Sequence, residues 1–573
     1  MEASFWDGKR APGVVDSIEI KYDSAIDAIE KSFKQYADRP AFTCLGHTLT
    51  YQDMDVLSGA FASYLQNHTN LKPGDTVAVQ MPNVLQYPVV VYGALRAGMR
   101  ITNTNPMYTE REMLHQFNDS EAKALVCMDV FAHSVQNVKD KTGLENIIVT
   151  SAADLLPFVK RSLINFVMKK VKKAVPAYSL PEATSFLKAL SLGKGKPFKD
   201  AHLSDPQDTI VLQYTGGTTG VAKGAELTNR NIVANMTMSQ ATIHQTTDDG
   251  KLIRGEGAVT AVAPLPLYHI YAFSMHMMTY FECGDHTLLI PNPRDIDGFI
   301  KSMLPHKVGV LVGLNTLFVS LMNNPNFKKI DFSHMYLTLS GGTALIEDTA
   351  KRWKQLTGCA ITEGYGLTEC SPTVSVNPSN GLEQLGSVGQ AMPGCALKCI
   401  DAEGNDVAVG ERGELCVKGP QVMKGYWKRP DATKDAFTED GEWFRTGDVA
   451  IIAEDGFVRI VDRLKDMIIV SGFNVFPNEI EAVVADHPDV ENCAVIGVPD
   501  EKSGEAVKLF IISSNPSLSV EEVKAFLKEK LTGYKMPRHI EFRDELPMTP
   551  VGKILRRELK DQEDAKRAQA SAS

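Results

Sequence analysis

The sequence predicts an α/β protein: a large multi-layer N-terminal domain around largely parallel sheets, a small β-rich subdomain, and a small α+β C-terminal domain. Three observations predict it. Short apolar runs alternate with helix-spaced runs through much of the chain. The texture changes to short strand-like runs split by Gly, Asp and Pro turns between Gly386 and Asp462. And 573 residues exceed what one hydrophobic core organises.

The elements follow in order. Ser24 to Tyr36 has helical spacing, and Thr76 to Met81 reads as a buried strand. Tyr87 to Ala97 reads as an apolar helix that Gly98 is placed to end. Ala124 to Cys127 reads as another strand. The pattern resumes with the apolar run Ile210-Val211-Leu212, Val259 to Ala263, a helix over Tyr271 to Phe281, Val308 to Val312, and Leu337 to Leu339. Glu414 to Lys418 and Phe457 to Val461 are the alternating strands of the β-rich stretch, and the Ala/Lys/Gln/Ser-rich last residues are expected to fray.

Charge and cysteine usage narrow the partners. A net charge of -10 argues against nucleic acid as a general partner. Nine scattered cysteines without zinc or disulfide spacing suggest reduced thiols and a cytoplasmic protein. No signal-peptide pattern is visible at Met1 to Asp7, and no apolar run is long enough to predict a spanning helix. One segment stands apart. Between Asp154 and Tyr178, Lys160, Arg161, Lys169, Lys170, Lys172 and Lys173 accompany Leu155, Leu156, Phe158, Val159, Leu163, Ile164, Phe166, Val167 and Val171. It reads either as a helix packed on its own domain with a solvated cationic face, or as a contact with anionic lipid headgroups.

The densest chemistry lies in Tyr214-Thr215-Gly216-Gly217-Thr218-Thr219-Gly220-Val221-Ala222-Lys223-Gly224. Glycines let backbone N–H groups turn toward an anion, hydroxyls add donors, and Lys223 adds a charge that can follow a phosphate. The loop is not a Walker A motif, because Lys223 lacks the preceding Gly and the following Ser or Thr. Further motifs follow: Ser340-Gly341-Gly342-Thr343-Ala344-Leu345, Glu363-Gly364-Tyr365-Gly366-Leu367-Thr368-Glu369, Trp443 to Asp448, Asp462 to Asp466, and Gly552-Lys553-Ile554-Leu555-Arg556-Arg557. Pro264 to His269 opens a Met- and aromatic-rich run, Ile270 to Met278, which suits either a core helix or the adaptable wall of an alkyl tunnel, with Val308 to Met322 a second candidate wall.

These motifs, in this order and over essentially the whole chain, resemble the adenylate-forming (AMP-binding) superfamily. Asn103 to Tyr108, the Thr/Gly loop, Val470 to Glu481 and Gly552 to Leu559 are most similar to bacterial long-chain-fatty-acid–CoA ligases. The resemblance implies ATP, Mg²⁺ and coenzyme A as cofactor and co-substrates, and a long-chain fatty acid as substrate. It implies that Thr215, Gly216, Gly217, Thr218, Thr219, Gly220 and Lys223 hold phosphates, and that Gly341, Gly342, Tyr365, Gly366 and Thr368 surround the adenylate. Asp448 would meet the ribose and Arg463 the ribose or a phosphate, and Glu369 with Thr215 would ligate Mg²⁺. His269 would orient the carboxylate or gate the thiol, and Lys553 would be the catalytic lysine of a mobile C-terminal domain. Domains are expected at 1–462, with the β-rich subdomain at about 386–462, and at 467–573. Residues 463–466 would form a hinge at Lys465, and after rotation Gly472 and Phe473 would line the pantetheine tunnel. An acyl-adenylate ligase serving a carrier protein, a medium-chain or aryl acid–CoA ligase, and a homodimer remain open alternatives, as does a peripheral position on the inner face of the membrane.

Overall fold

Two large sheets, each mostly parallel, carry the N-terminal part of this computed structural model. The structure describes residues 3–572 apart from 200–202, 216–221, 247–249, 256, 343–344, 501 and 550–552. The eight-stranded sheet centres on Thr76–Gln80, which pairs in parallel with Arg100–Asn103 on one side and Ala122–Met128 on the other. Thr209–Thr215 extends it in parallel, then turns back as the antiparallel strand Lys223–Thr228. The nine-stranded sheet runs in parallel through Thr260–Ala263, Val308–Gly313, Leu337–Gly341 and Ile361–Gly366.

Parallel strands covered on both faces need unbroken apolar runs, and Thr76–Gln80 and Val308–Gly313 are buried at every position. The helix Gln86–Arg96 is buried all round, which explains its lack of a polar face, and Gly98 follows it at φ +82°. Ser24 caps the helix Ala25–Gln35 by accepting from the Asp27 N–H at 3.2 Å. The Met-rich run forms a continuous helical stretch from Ile270 to Glu282, π-helical between Phe273 and Thr279, and those seven residues are buried. Of the second candidate wall, Phe318, Leu321 and Met322 pack with Trp353 in a separate apolar core instead.

The β-rich stretch forms a four-stranded antiparallel sheet of Ala396–Ile400, Arg412–Lys418, Phe444–Ile452 and Val458–Arg463. It is less separate than the sequence suggests. Gln390–Ala391 joins the nine-stranded sheet and Gly425–Tyr426 the eight-stranded one, because two-residue edge strands carry no periodic signal. After the turn Leu464–Asp466, a C-terminal sheet of five strands forms around Val490–Asp500 and Gly504–Ser513. It has its own core of Ile468, Val475, Ile480, Val495, Leu509 and Leu527, among others. Among the described residues no helix is long and apolar enough to cross a membrane.

Candidate active site

The C-terminal ends of the parallel strands, the β-rich sheet and one loop of the C-terminal domain meet at a single cluster. Ligands in open α/β sheets gather at these strand ends. Leu337–Gly341 and Ile361–Gly366 are neighbours in register, Gly341 beside Gly364. A Cβ at Gly341 would lie 3.2 Å from the Tyr271 ring, and one at Gly366 only 2.3 Å from the Pro372 carbonyl oxygen. Close approach requires the glycine at 366 and makes a side chain at 341 a tight fit. Thr343 and Ala344 lie outside the described residues.

Tyr365 projects from the strand end and donates its hydroxyl to Asp448 Oδ2 at 2.5 Å. Asp448 and Arg463 face each other across paired strands, with Nε 3.2 Å from Oδ1. Asp448 is buried to 5% exposure, so this carboxylate is oriented in advance by a phenol and a guanidinium. Glu414, also buried, accepts Nε and Nη2 of Arg445 at 2.9 and 2.6 Å and the Gly447 N–H at 3.2 Å, which sets the Thr446-Gly447-Asp448 turn.

Thr368 and Glu369 lie on the short turn Thr368–Cys370. The Tyr426 hydroxyl donates to Glu369 Oε1 at 2.8 Å, and Lys223 Nζ stands 4.4 Å over the Tyr426 ring. Lys223 pairs with Thr215 across the two strands that flank the Thr/Gly loop. The loop residues Gly216, Gly217, Thr218, Thr219 and Gly220 lie outside the described residues. Among the described residues no group of three His, Cys, Asp or Glu side chains could hold a metal ion, so any cation here would take its remaining ligands from elsewhere.

Lys553 reaches this cluster from the C-terminal domain. A Cβ at Gly342, which has φ +89°, would lie 3.0 Å from Lys553 Cε and 3.6 Å from Nζ. Burial pushes the Lys553 ammonium below its ordinary value and Arg463 pushes it further, while Asp448 and Glu369 oppose this. Lys553 is held by Thr549: its N–H donates to Thr549 Oγ1 at 3.0 Å, and its carbonyl accepts from the Thr549 N–H at 2.7 Å. Burial, with the nearby Lys553 charge, pushes His269 down to about 4, so its ring is neutral at pH 7. His269 Nδ1 accepts from the Tyr271 N–H at 3.3 Å, which fixes the tautomer and leaves Nε2 to donate. Burial and Arg463 push Lys465, on the linker turn, down to about 8.

Gly472 and Phe473 are not part of the cluster. Gly472 has φ +85° with open space at its Cβ, and Phe473 is 54% exposed and stacks on Tyr534 at 4.6 Å. Sequence reasoning missed Tyr426 and Glu414. Each acts on a motif residue from a distant strand, and nothing local in the sequence marks either.

The family described as AMP-binding enzyme matches residues 29–427, and the AMP-binding enzyme C-terminal domain matches residues 479–553. The long-chain-fatty-acid–CoA ligase of Escherichia coli O157:H7 is 50% identical over 542 residues, 95% of each chain. That of Haemophilus influenzae is 46% identical over 547 residues, 96% of each chain. Among solved structures, ATP-bound MatB from Rhodopseudomonas palustris superposes with a TM-score of 0.80 at 28% identity, covering 94% of this chain and 99% of that one. The first matched region holds Gly341, Tyr365 and Glu369 and the second holds Lys553, and with a match over residues 29–427 this chain belongs to the AMP-binding enzyme family.

Proposed function

We propose that the chain is a long-chain-fatty-acid–CoA ligase that joins ATP, a fatty acid and coenzyme A through an acyl-adenylate. The observation that carries this reading is Lys553, whose side chain comes from the C-terminal domain to within van der Waals distance of the Gly342 turn, beside Asp448 and Glu369. The near-full-length identity to ligases of that name supports the substrate class.

A carboxylate oxygen of the fatty acid attacks the α-phosphorus of ATP, the bond to the β-phosphate oxygen breaks, and pyrophosphate leaves. Residues 215–220 and Lys223 bind the phosphates, and Asp448 accepts the ribose hydroxyls. The Lys553 ammonium sits where negative charge builds between carboxylate and α-phosphate. The neutral His269 Nε2–H orients the carboxylate without competing for a proton. The Glu369 carboxylate, one oxygen of which is engaged by Tyr426, and the Thr215 hydroxyl are the oxygen donors suited to Mg²⁺, which keeps waters and substrate phosphates as its other ligands. Bound Mg²⁺ would neutralise charge on the pyrophosphate leaving group. The C-terminal domain then turns about residues 463–466, bringing the Gly472–Phe473 loop over the site. The coenzyme A thiolate attacks the acyl carbon, and AMP leaves. Mass spectrometry of products from ATP, Mg²⁺, coenzyme A and acids from acetate to oleate tests this. Acyl-CoA formed best from long chains is expected, whereas acyl-adenylate without thioester would transfer the reading to a carrier-protein ligase.

The same reading includes contact with an anionic bilayer at the inner face of the membrane. The helix Phe158–Phe166 and the π-helical turn Val167–Val171 bury no residue, and Phe158, Val159, Leu163, Phe166 and Val171 are 58–76% exposed. Each cation beside a charged surface contributes about 1 kcal/mol, and the apolar side chains enter the headgroup layer. Flotation with anionic vesicles at low salt is expected to carry the protein up, and Leu163→Asp with Phe166→Asp to abolish this. Absence of wild-type binding removes the idea.

A further inference from the structure

Arg556 opens the last helix, three residues beyond Lys553, and its guanidinium faces three carboxylates from three parts of the chain. Nη2 donates to Glu481 Oε2 at 2.7 Å and Nε to Oε1 at 3.2 Å. Nη1 lies 3.4 Å from Asp466 Oδ2 and 3.5 Å from Asp462 Oδ1. Nη2 also donates to Asn478 Oδ1. Asn478 and Glu481 belong to the helix Pro477–Ala485 of the C-terminal domain, and Glu481 also accepts from the Val495 N–H at 2.7 Å. Asp466 is on the linker turn. Asp462 ends the N-terminal side, on the strand Val458–Arg463 of the β-rich sheet.

Asp462 is fully buried, and its oxygens accept from the Arg463 and Asn478 N–H groups, both at 2.7 Å. A turn about residues 463–466 would carry Arg556, Asn478 and Glu481 together as one body. It would leave Asp462 behind, without Arg556 and without the Asn478 N–H. The contacts of Arg556 therefore divide into a permanent set, with Glu481, and a set that exists only while Lys553 is at the nucleotide site.

We propose that Asp462 and Arg556 form a positioning pair that catches the C-terminal domain in the orientation for acyl-adenylate formation and is released for thioester formation. The proposal rests on the ligase reaction given above. An ion pair suits a catch of this kind. Its net contribution to stability is small, since desolvation offsets attraction, yet a misplaced partner leaves a buried charge uncompensated. Orientation is thereby specified, and both groups regain water on release.

The test compares the two half-reactions in the full chain: oleate-dependent exchange of pyrophosphate into ATP, and oleoyl-CoA formation from supplied oleoyl-adenylate with coenzyme A. Asp462→Asn keeps the size and one carbonyl acceptor but removes the charge. Exchange is expected to fall roughly tenfold or more while thioester formation from supplied adenylate stays within about twofold. Arg556→Lys, which keeps the charge but loses the planar fork, is the second variant and is expected to show the same split even if Asp462→Asn proves poorly folded. Equal loss in both half-reactions, or no loss in either, overturns the proposal. Failure of the ligase reading is recognised separately, because wild-type protein would then form no oleoyl-CoA from any of the supplied substrates.

Discussion

At the scale of single residues, the site works by orienting charge before substrate arrives. Asp448 is aligned by Tyr365 and Arg463, so in the proposed role little reorganisation would be needed to accept ribose hydroxyls. Hydrogen bonds to a charged group are worth about 1.5–3 kcal/mol each, so Asp448→Ala is expected to raise the apparent KM for ATP by roughly tenfold or more. Steady-state kinetics check this, and an unchanged KM removes the ribose role. In the proposed role Lys553 acts as the ammonium, and burial lowers its proton affinity below the ordinary 10.5. A lowered value means that the charge is lost on raising pH earlier than for a free lysine. The adenylation half-reaction is therefore expected to fall along an alkaline limb centred below pH 10.5, and conversion of supplied acyl-adenylate to lack that limb. Lys553→Ala is expected to block adenylation yet retain the second half-reaction, and loss of both contradicts the division.

At the scale of elements, glycine placement explains why the motif strings read as they do. The strand Ile361–Gly366 runs into the turn at Thr368–Cys370 with its backbone against the Pro372 carbonyl. Gly366→Ala forces a methyl group into that carbonyl at 2.3 Å. Overpacking of this kind costs about 1–3 kcal/mol and would displace Tyr365 and Glu369 together. A lower melting temperature and weakened ATP binding are expected in thermal-shift titrations, and an unchanged titration contradicts the packing argument. Much of this was legible in advance. The helix Ala25–Gln35, the helix Gln86–Arg96 and the strands Thr76–Gln80 and Val308–Gly313 fall where periodicity puts them, to within a residue or two. Gln390–Ala391 and Gly425–Tyr426 were not legible, because a two-residue strand is defined by its partner.

At the scale of the whole molecule, two bodies carry separate cores, one around Ile468, Val495 and Leu509 and one through the large sheets. Among the described residues, Arg412 of the β-rich sheet bridges to Glu479 at 2.7 Å and lies over the Phe476 ring, Asn478 donates to Val461 and Asp462, and Arg556 meets Asp462. Bodies joined this way are expected to unfold in separate steps. Calorimetry should show two transitions without nucleotide. A non-hydrolysable acyl-adenylate analogue should draw them together, because it would be held by Asp448 on one body and Lys553 on the other. A single transition in both conditions contradicts this.

The sequence by itself determined the layered α/β class and the family resemblance, and it marked out the candidate site residues, since glycine-rich turns and their flanking charges are local chemistry. Only the tertiary structure decided which of those residues meet. It brought Lys553 to Gly342, joined Tyr365 to Asp448 and Tyr426 to Glu369, and left Phe473 stacked on Tyr534 away from the cluster. It also found in Arg556, at first one cation of a basic string, the group that spans strand, linker and terminal helix. The physical reason is the same in each case. Burial and charge pairing depend on partners far along the chain, 57 residues away for Tyr426 and Glu369 and 83 for Tyr365 and Asp448, and no short window of sequence contains them.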